Sequence, residues 1–203
     1  MARYGLAIDL DRCVGCYSCV MACKAENYTS AGVWWNKVVA QEEGNYPAVR
    51  LTFIPRACMH CDNPPCAAVC PTGATHKRDD GIVVVDKEKC IGCRRCMAAC
   101  PYQARTFLES YDSYYPDYGP SRYEQFGAQF HRVNTVEKCH LCAHLVDMGQ
   151  EPACVQSCPG YARTFGDLDD PNSAISRQIA GRNAQQLLVE MGTKPKVYYL
   201  SNT

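Results

Sequence analysis

The sequence lacks a long apolar run, a net charge and an export signal. The longest aliphatic run, Ile82–Val85, has four residues, far short of the roughly 18–20 that span a bilayer. The opening MARYGLAIDLD contains neither the apolar stretch nor the cleavage site of a secretory signal. The 21 basic and 21 acidic residues cancel, whereas nucleic-acid binding needs a basic footprint. We expect a soluble chain with no signal peptide, transmembrane segment or nucleic-acid partner of its own.

The common enzyme motifs are also missing. The sequence contains no P-loop, no dinucleotide fingerprint and no nucleophile–base constellation. No catalytic residue is therefore predicted in this chain.

Cysteine, in contrast, is abundant. Sixteen of 203 residues are cysteine, and disulfides would explain such a number only in a short secreted chain. The cysteines form four groups of four, and each group ends in C-x3-C. Group one is Cys13, Cys16, Cys19, Cys23; group two is Cys58, Cys61, Cys66, Cys70; group three is Cys90, Cys93, Cys96, Cys100; and group four is Cys139, Cys142, Cys154, Cys158.

The spacing of these groups favours iron–sulfur clusters. Groups one and three read C-x2-C-x2-C-x3-C, and proline follows the last cysteine of groups two, three and four, as in bacterial ferredoxins. Gly15 and Gly92 are expected to let the backbone approach a cluster closely. Zinc prefers two separated C-x2-C pairs, which groups two and four alone would allow but groups one and three disfavour. All sixteen cysteines are predicted to be iron ligands, as metal and cofactor-binding residues of four [4Fe–4S] clusters.

The chain also repeats itself. IDLDRCVGC (8–16) parallels VDKEKCIGC (85–93), and CPYQARTF (100–107) parallels CPGYARTF (158–165). The predicted fold is α+β, a duplicated bacterial-ferredoxin-like structure of two 2×[4Fe–4S] modules. We expect a short helix after the third cysteine of each group, and strands leading into the cluster loops at Tyr4–Leu10, Val49–Ile54 and Ile82–Val85.

The link lengths suggest which groups share clusters. The last cysteine of such a run ligates the other cluster in two-cluster ferredoxins. Groups two and three have the shorter link, from Cys70 to Cys90, against the longer one from Cys23 to Cys58. Exchange of last cysteines then predicts four sets: Cys13, Cys16, Cys19 with Cys158; Cys139, Cys142, Cys154 with Cys23; Cys58, Cys61, Cys66 with Cys100; and Cys90, Cys93, Cys96 with Cys70. Pairing within each duplicated half is the alternative.

Four segments follow from this division. Residues 1–48 with 131–170 form one module, and residues 49–107 form the other. Residues 108–130 form an insertion with five tyrosines and two phenylalanines. It is interpreted either as a loop that packs its own aromatic rings or as a docking surface, since tyrosine is enriched at interfaces. Residues 171–203 are expected to be a docking tail, with a helix over Ala174–Met191.

Charged residues near the cysteines are assigned roles as well. Lys24 and Arg94 are interpreted as ordinary surface charge. Arg105 and Arg163 hold matching places in the repeat, so they are expected to have a structural role. Because a nearby cation favours the reduced cluster, Arg105→Ala is expected to lower one cluster potential. The histidines near the cysteines are expected to be hydrogen-bonding or surface residues, since no group lacks a cysteine: His60, His140 and His144.

Further motifs resemble a known family over nearly the whole chain. They are CPTGA (70–74), PAC (152–154), GDLDDP (166–171) and KPKVYY (194–199). With the four cysteine groups in order, the sequence resembles iron–sulfur subunits of molybdopterin oxidoreductases of the dimethyl-sulfoxide reductase superfamily. The nearest forms are the small subunits of polysulfide, thiosulfate and respiratory arsenate reductases.

The resemblance implies a function in anaerobic respiration. It implies the crossed cysteine pairing. It also implies four cubanes: respiratory nitrate reductase relatives have tryptophan at the position of Cys93, and one of their clusters is [3Fe–4S], whereas this chain keeps the cysteine. It also implies a large catalytic subunit with a molybdenum or tungsten bis-pterin, and in many relatives a membrane anchor with a quinone site. Electrons would pass between a quinol or soluble donor and that subunit, which would reduce an arsenate- or sulfur-type acceptor.

The expected location is the periplasmic side, reached by co-export with the catalytic subunit, or otherwise the cytoplasm. Two alternative functions remain. One is a stand-alone polyferredoxin that shuttles electrons without an obligate partner. The other is the small subunit of a pterin-dependent transhydroxylase-like enzyme.

Overall fold

A four-stranded sheet joins the two ends of the chain in the computed structural model, which describes residues 2–202. Strand β1 (Tyr4–Asp9) is antiparallel to β8 (Arg163–Asp167) and parallel to β10 (Val197–Ser201), with β9 (Asn183–Gln185) at the far edge. Residues 1 and 203, the outer limits of two predicted segments, lie outside the described range. Strand β1 thus lies between two strands from the C-terminal part of the chain.

Three two-stranded sheets complete the β structure of residues 2–202. They are β2 (Lys37–Asn45) with β3 (Ala48–Arg56), β4 (Thr75–Lys77) with β5 (Val83–Val85), and β6 (Thr106–Leu108) with β7 (Thr135–Glu137). The three predicted strands are confirmed as β1, β3 and β5, with ends shifted by one or two residues. Strand β2 was missed because its second half, QEEGN, is polar and exposed on both faces.

The helices are short. They are α1 (Ser18–Asn27), α2 (Pro65–Ala68), α3 (Arg95–Ala98), α4 (Arg122–Ala128), α5 (Ala143–Val146), α6 (Ala153–Gln156) and α7 (Ala174–Ala180), with 3-10 turns at Pro116–Tyr118 and Val189–Met191. Helices α1, α2, α3 and α6 each begin one residue before the third cysteine of a group. The short helices predicted here are therefore confirmed, with each start about two residues earlier than predicted. No helix within residues 2–202 is both long and apolar enough to cross a bilayer.

The helix predicted over Ala174–Met191 is wrong beyond Ala180. Its start is confirmed, with Ile175 fully buried against Ala7 and Leu200. The helix ends at Ala180, with Gly181 as its C-cap, and the chain then forms β9, which pairs with β10. Strand pairing thus overrides the apolar spacing here. Part of the segment 171–203 completes the sheet, and its docking role stays a prediction.

The strand pairings repeat as the sequence does. The strand before group one, β1, pairs with the strand after group four, β8. In the same way the strand before group three, β5, pairs with the strand after group two, β4. Helix α1 packs on α6, and α2 packs on α3. These short strands and helices confirm the predicted α+β, duplicated ferredoxin-like fold.

The hydrophobic core is divided into small clusters that include cysteines. The largest contains Leu6, Met59 and Ile82. A second places Cys23 beside Val33, Trp35 and Leu108, and a third contains Cys66, Val83, Cys96 and Val136. Several cysteine side chains are therefore part of the core, among them Cys23, Cys66 and Cys96.

The tyrosine-rich insertion packs on the end of α1. The Tyr28 ring contacts those of Tyr123 at 4.9 Å and Phe126 at 5.6 Å, and Tyr111 donates a hydrogen bond to the Tyr28 carbonyl at 2.7 Å. In α4, a Cβ at Gly127 would clash with Tyr28, so the close approach requires glycine. The insertion thus packs aromatics against another segment as well as on itself. Tyr118 at its surface is 90% exposed, and a docking role stays a prediction.

Candidate iron–sulfur centres

Two cavities near the end of the main sheet are lined by cysteines of groups one and four. The first is lined by Cys13, Cys16 and Cys19 together with Cys158. The second is lined by four other cysteines, Cys139, Cys142, Cys154 and Cys23. In each cavity, three cysteines of one group meet the last cysteine of the other.

The thiols of groups two and three are brought together in a similar way. Cys61 interacts electrostatically with Cys58 and Cys66 of its own group and with Cys100 of group three. In turn, Cys96 interacts with Cys90 of its own group and with Cys70 of group two. Cys93 belongs to the same loop and is exposed. The loop glycines Gly15 and Gly92 both have positive φ, near 66° and 68°, which only glycine adopts without strain.

Burial keeps several of these thiols from ionising on their own. It raises the pKa of Cys139 and of Cys61 to about 12, and the pKa of Cys142 to about 11. Iron binds the thiolate rather than the thiol. These sites therefore hold thiolates only when a positive metal group compensates the charge, and loading them releases protons.

Some buried donors near the cysteines lack acceptors. Trp35 lines the second cavity, and its Nε1 is buried without a hydrogen-bond partner among the described residues. Nη2 of Arg105 is also buried without a hydrogen-bond partner among the described residues. This guanidinium interacts electrostatically with Cys66 and Cys96. An unpaired buried donor costs about 1–3 kcal/mol. A sulfide-bearing anionic cluster would supply the missing acceptors, so the residues fit such a group.

Backbone amides are directed at cysteine sulfurs. Thr75 N–H donates to Cys70 Sγ at 3.3 Å, and Ala162 N–H donates to Cys158 Sγ at 3.3 Å. Both acceptors are the last cysteine of a group. Hydrogen bonds to sulfur are one of the factors that set the potential of a cluster.

Two buried arginines lie among the cysteines, at the matching places that the repeat predicts. Nη2 of Arg163 donates to Cys19 Sγ at 3.3 Å and to Asn36 Oδ1 at 3.2 Å. Nη1 of Arg105 donates to Thr75 Oγ1 at 3.1 Å. Burial opposes the charge of both guanidinium groups, but their electrostatic interactions with nearby cysteine sulfurs outweigh it, so the pKa of each is raised and both are cations.

Comparison with known proteins gives the family. Two family models, each described as a 4Fe–4S dicluster domain, match this chain. One matches residues 49–113 and 124–168, and the other matches residues 12–74. Together they include all four cysteine groups. The chain belongs to the 4Fe–4S dicluster family. This dicluster protein carries four [4Fe–4S] clusters, as the cysteine spacing predicts, and the zinc interpretation is set aside.

Several related proteins align with this chain over most of its length and most of their own. The iron–sulfur subunit of a putative dimethyl sulfoxide reductase from Halobacterium salinarum is 45% identical over 99% of this chain and 80% of its own. A selenate reductase subunit from Mesobacillus selenatarsenatis is 43% identical, covering 97% and 71%. The arsenate respiratory reductase iron–sulfur subunit ArrB from Shewanella sp. strain ANA-3 is 40% identical, covering 98% and 96%. The resemblance drawn from the motifs is confirmed, and the dicluster protein is an electron-transfer subunit.

The interpretation of Lys24 as surface charge is wrong. Only 6% of this residue is exposed, and its Nζ donates to the carbonyls of Val33 at 2.8 Å and Ser30 at 3.1 Å. It also lies over the Trp34 ring, 4.2 Å from the ring centre. Arg94, in contrast, stays at the surface and pairs with Glu109. Sequence spacing alone did not show that residues 29–34 fold back over α1.

Replacing Lys24 by methionine is expected to destabilise the dicluster protein. The change leaves the carbonyls of Ser30 and Val33 without their donor, at a cost of about 2–4 kcal/mol. The apparent melting temperature of the cluster-loaded protein should fall by about 4–16 °C in a chain of this size. Lys37→Met is the matched control, since Lys37 is exposed. Equal shifts in the two variants, measured by circular dichroism, would contradict this role.

His60 lies between two of the cysteine sets and is buried. Its Nδ1 accepts a hydrogen bond from the backbone N–H of Val83 at 3.1 Å, so the neutral ring carries its proton at Nε2. That nitrogen is 3.8 Å from Cys139 Sγ. His60 is thus a hydrogen-bonding residue, as expected, but its contact with a cysteine of group four could not be inferred from its place in group two.

Proposed function

We propose that this chain is the electron-transfer subunit of a molybdenum or tungsten bis-pterin oxidoreductase. In this proposal, electrons pass singly through four clusters, each held by three cysteines of one group and the last cysteine of another. The observation that carries the assignment is the pair of cavities in which cysteines of groups one and four are exchanged. The proposed sets are Cys13, Cys16, Cys19, Cys158; Cys139, Cys142, Cys154, Cys23; Cys58, Cys61, Cys66, Cys100; and Cys90, Cys93, Cys96, Cys70.

Contacts between the sets support a linear order. Arg105 interacts with cysteines of groups two and three. Cys58 of group two lies near Cys139 of group four. Arg163 lines both cavities of groups four and one. The order along the line is therefore group three, group two, group four and group one, each named by the group that supplies three ligands.

Both ends of this line reach the surface. Cys16 and Cys93 are exposed, and they hold equivalent places in the repeat. The apolar residues beside them, Val14 and Ile91, are each 66% exposed. Exposed apolar side chains of this kind suit contact with another protein. Electrons would enter at one end and leave at the other.

The chain's own residues hold and tune the clusters. Buried thiols become ligands, backbone amides such as those of Thr75 and Ala162 donate to sulfur, and the surrounding core excludes water. The clusters supply one-electron chemistry when bound, within about −700 to +450 mV for the class. Substrate chemistry is assigned to the partner subunit, because the sequence predicts no catalytic residue here.

Partner and substrate are proposed from the relatives. These include subunits of selenate, arsenate respiratory and tetrathionate reductases, so we assign an arsenate- or sulfur-type acceptor to the complex. A membrane anchor with a quinone site would provide the electrons. Co-export with the catalytic subunit would place this chain on the periplasmic side, with the cytoplasm as the alternative. The modules would be residues 1–48 with 131–170, and residues 49–107.

Purification from the native host tests the proposal. An affinity tag on this chain, with anaerobic isolation, should co-purify a large subunit that contains molybdenum or tungsten by elemental analysis. This chain should contribute about sixteen irons, four for each cubane. Isolation from an untagged strain is the control. A chain that is fully loaded with iron yet always purifies alone would instead indicate the stand-alone polyferredoxin.

A further inference from the structure

We infer that Arg105 and Arg163 are each a buried cation shared by two cluster sites, so that one arginine sets the potentials of two clusters together. The inference rests on the proposed ligand sets and electron-transfer function. It differs from the sequence-based expectation, which assigned Arg105 to a single cluster. Each arginine is a positioning residue that acts on the clusters through their cysteine ligands.

The position of Arg163 carries the first half of the inference. Its side chain lines the cavity of Cys13 and the cavity of Cys139 at the same time. It donates to Cys19 Sγ at 3.3 Å and interacts with Cys154 from the other side. Cys19 and Cys154 are the third cysteines of groups one and four. The guanidinium therefore stands between two proposed clusters.

Arg105 occupies the equivalent place between groups two and three. Arg105 is buried, and its Nη1 donates at 3.1 Å to Oγ1 of Thr75, whose N–H donates to Cys70 Sγ. It also interacts electrostatically with Cys66 and Cys96, which are again the third cysteines of their groups. Helices α2 and α3 pack together here as α1 and α6 do around Arg163. The same arrangement thus occurs twice, once in each pair of groups.

The charge of these arginines has no carboxylate to balance it. Within residues 2–202, neither Arg105 nor Arg163 forms an ion pair with an aspartate or glutamate, and both are buried. A buried cation without a counter-charge is costly. The cluster and its thiolates are the negative groups nearby, and adding an electron makes them more negative. The cation therefore stabilises the reduced state of both neighbours.

Redox titration of single variants, followed by electron paramagnetic resonance on the cluster-loaded protein, tests this sharing. Arg163→Gln removes the charge and keeps a hydrogen-bond donor. It should lower two of the four midpoint potentials by about 59 mV each, which corresponds to a tenfold change in the one-electron reduction equilibrium. Arg105→Gln should lower the other two. The variants Arg105→Lys and Arg163→Lys keep the positive charge. Their midpoint potentials should therefore stay close to those of the unaltered protein.

Two further variants sharpen the result. Asn36→Asp is nearly isosteric and places a carboxylate beside Arg163, whose Nη2 is 3.2 Å from Asn36 Oδ1. It should lower the same two potentials even where Arg163→Gln fails to load all clusters. Arg94→Gln is the control, because the Arg94 side chain is 53% exposed and solvent screens its charge. An equal shift in this control would show that burial is not the cause.

The affected clusters can be assigned from cysteine variants. The two clusters that respond to Arg163→Gln and Asn36→Asp must be those lost, or converted to [3Fe–4S], in Cys16→Ser and Cys142→Ser. A shift of one cluster alone, of all four, or of none overturns the inference. Iron content and the pterin partner are measured on the unaltered chain. A protein with sixteen irons and its partner but the wrong shifts refutes only the shared cations, whereas a missing partner refutes the proposed function.

Discussion

The double variant Cys16→Ser/Cys158→Ser is expected to retain about twelve irons per chain, four fewer than the unaltered protein. The reason is that both cysteines line one cavity and are assigned to one cluster. Losing two of four ligands removes that cluster, while the other three keep every ligand. Anaerobic reconstitution followed by iron and sulfide analysis measures this directly.

The matched control is Cys16→Ser/Cys142→Ser, which removes one ligand from each of two proposed clusters. It should leave about eight irons if both clusters are lost, or about fourteen if both become [3Fe–4S]. The alternative, pairing within each duplicated half, places Cys16 and Cys158 in two different clusters. It therefore predicts about eight or about fourteen irons for Cys16→Ser/Cys158→Ser as well. Equal iron contents in the two double variants would therefore refute the crossed assignment.

Removing the iron is expected to unfold most of the chain. Helices α2, α3, α5 and α6 have four residues each, too few to be stable alone, and isolated two-stranded sheets are marginal. Cysteines complete the small core clusters. Without metal, buried thiols meet at the centre of each site with nothing to bridge them, so metal binding supplies much of the folding free energy.

Circular dichroism and thermal denaturation check this expectation. After anaerobic chelation the cooperative melting transition should disappear, and it should return when iron and sulfide are added back. A mock-treated sample without chelator is the control. An iron-free chain that keeps its helical signal and melts cooperatively would show that the apolar core, with Leu6, Met59 and Ile82, suffices for the fold.

The sequence by itself determined the chemistry of this protein. Sixteen cysteines, their spacing and the doubled motifs indicated four iron–sulfur clusters and a duplicated ferredoxin-like fold. This was possible because three of the ligands in each proposed set lie close together in the chain. Local spacing therefore carries most of the information about such a site. The family comparison confirmed the four [4Fe–4S] clusters.

Only the tertiary structure decided the surroundings of the clusters. Lys24 is buried because residues 29–34 fold back over α1 and the Tyr114 ring, from far along the chain, lies over its ammonium group. Arg163 meets Asn36 and Cys19 from positions more than 120 residues away. The helix predicted through Met191 gave way to strand β9 because β10 offered a pairing edge. Burial, shared cations and strand pairing all depend on contacts between distant residues, which the spacing of one segment does not contain.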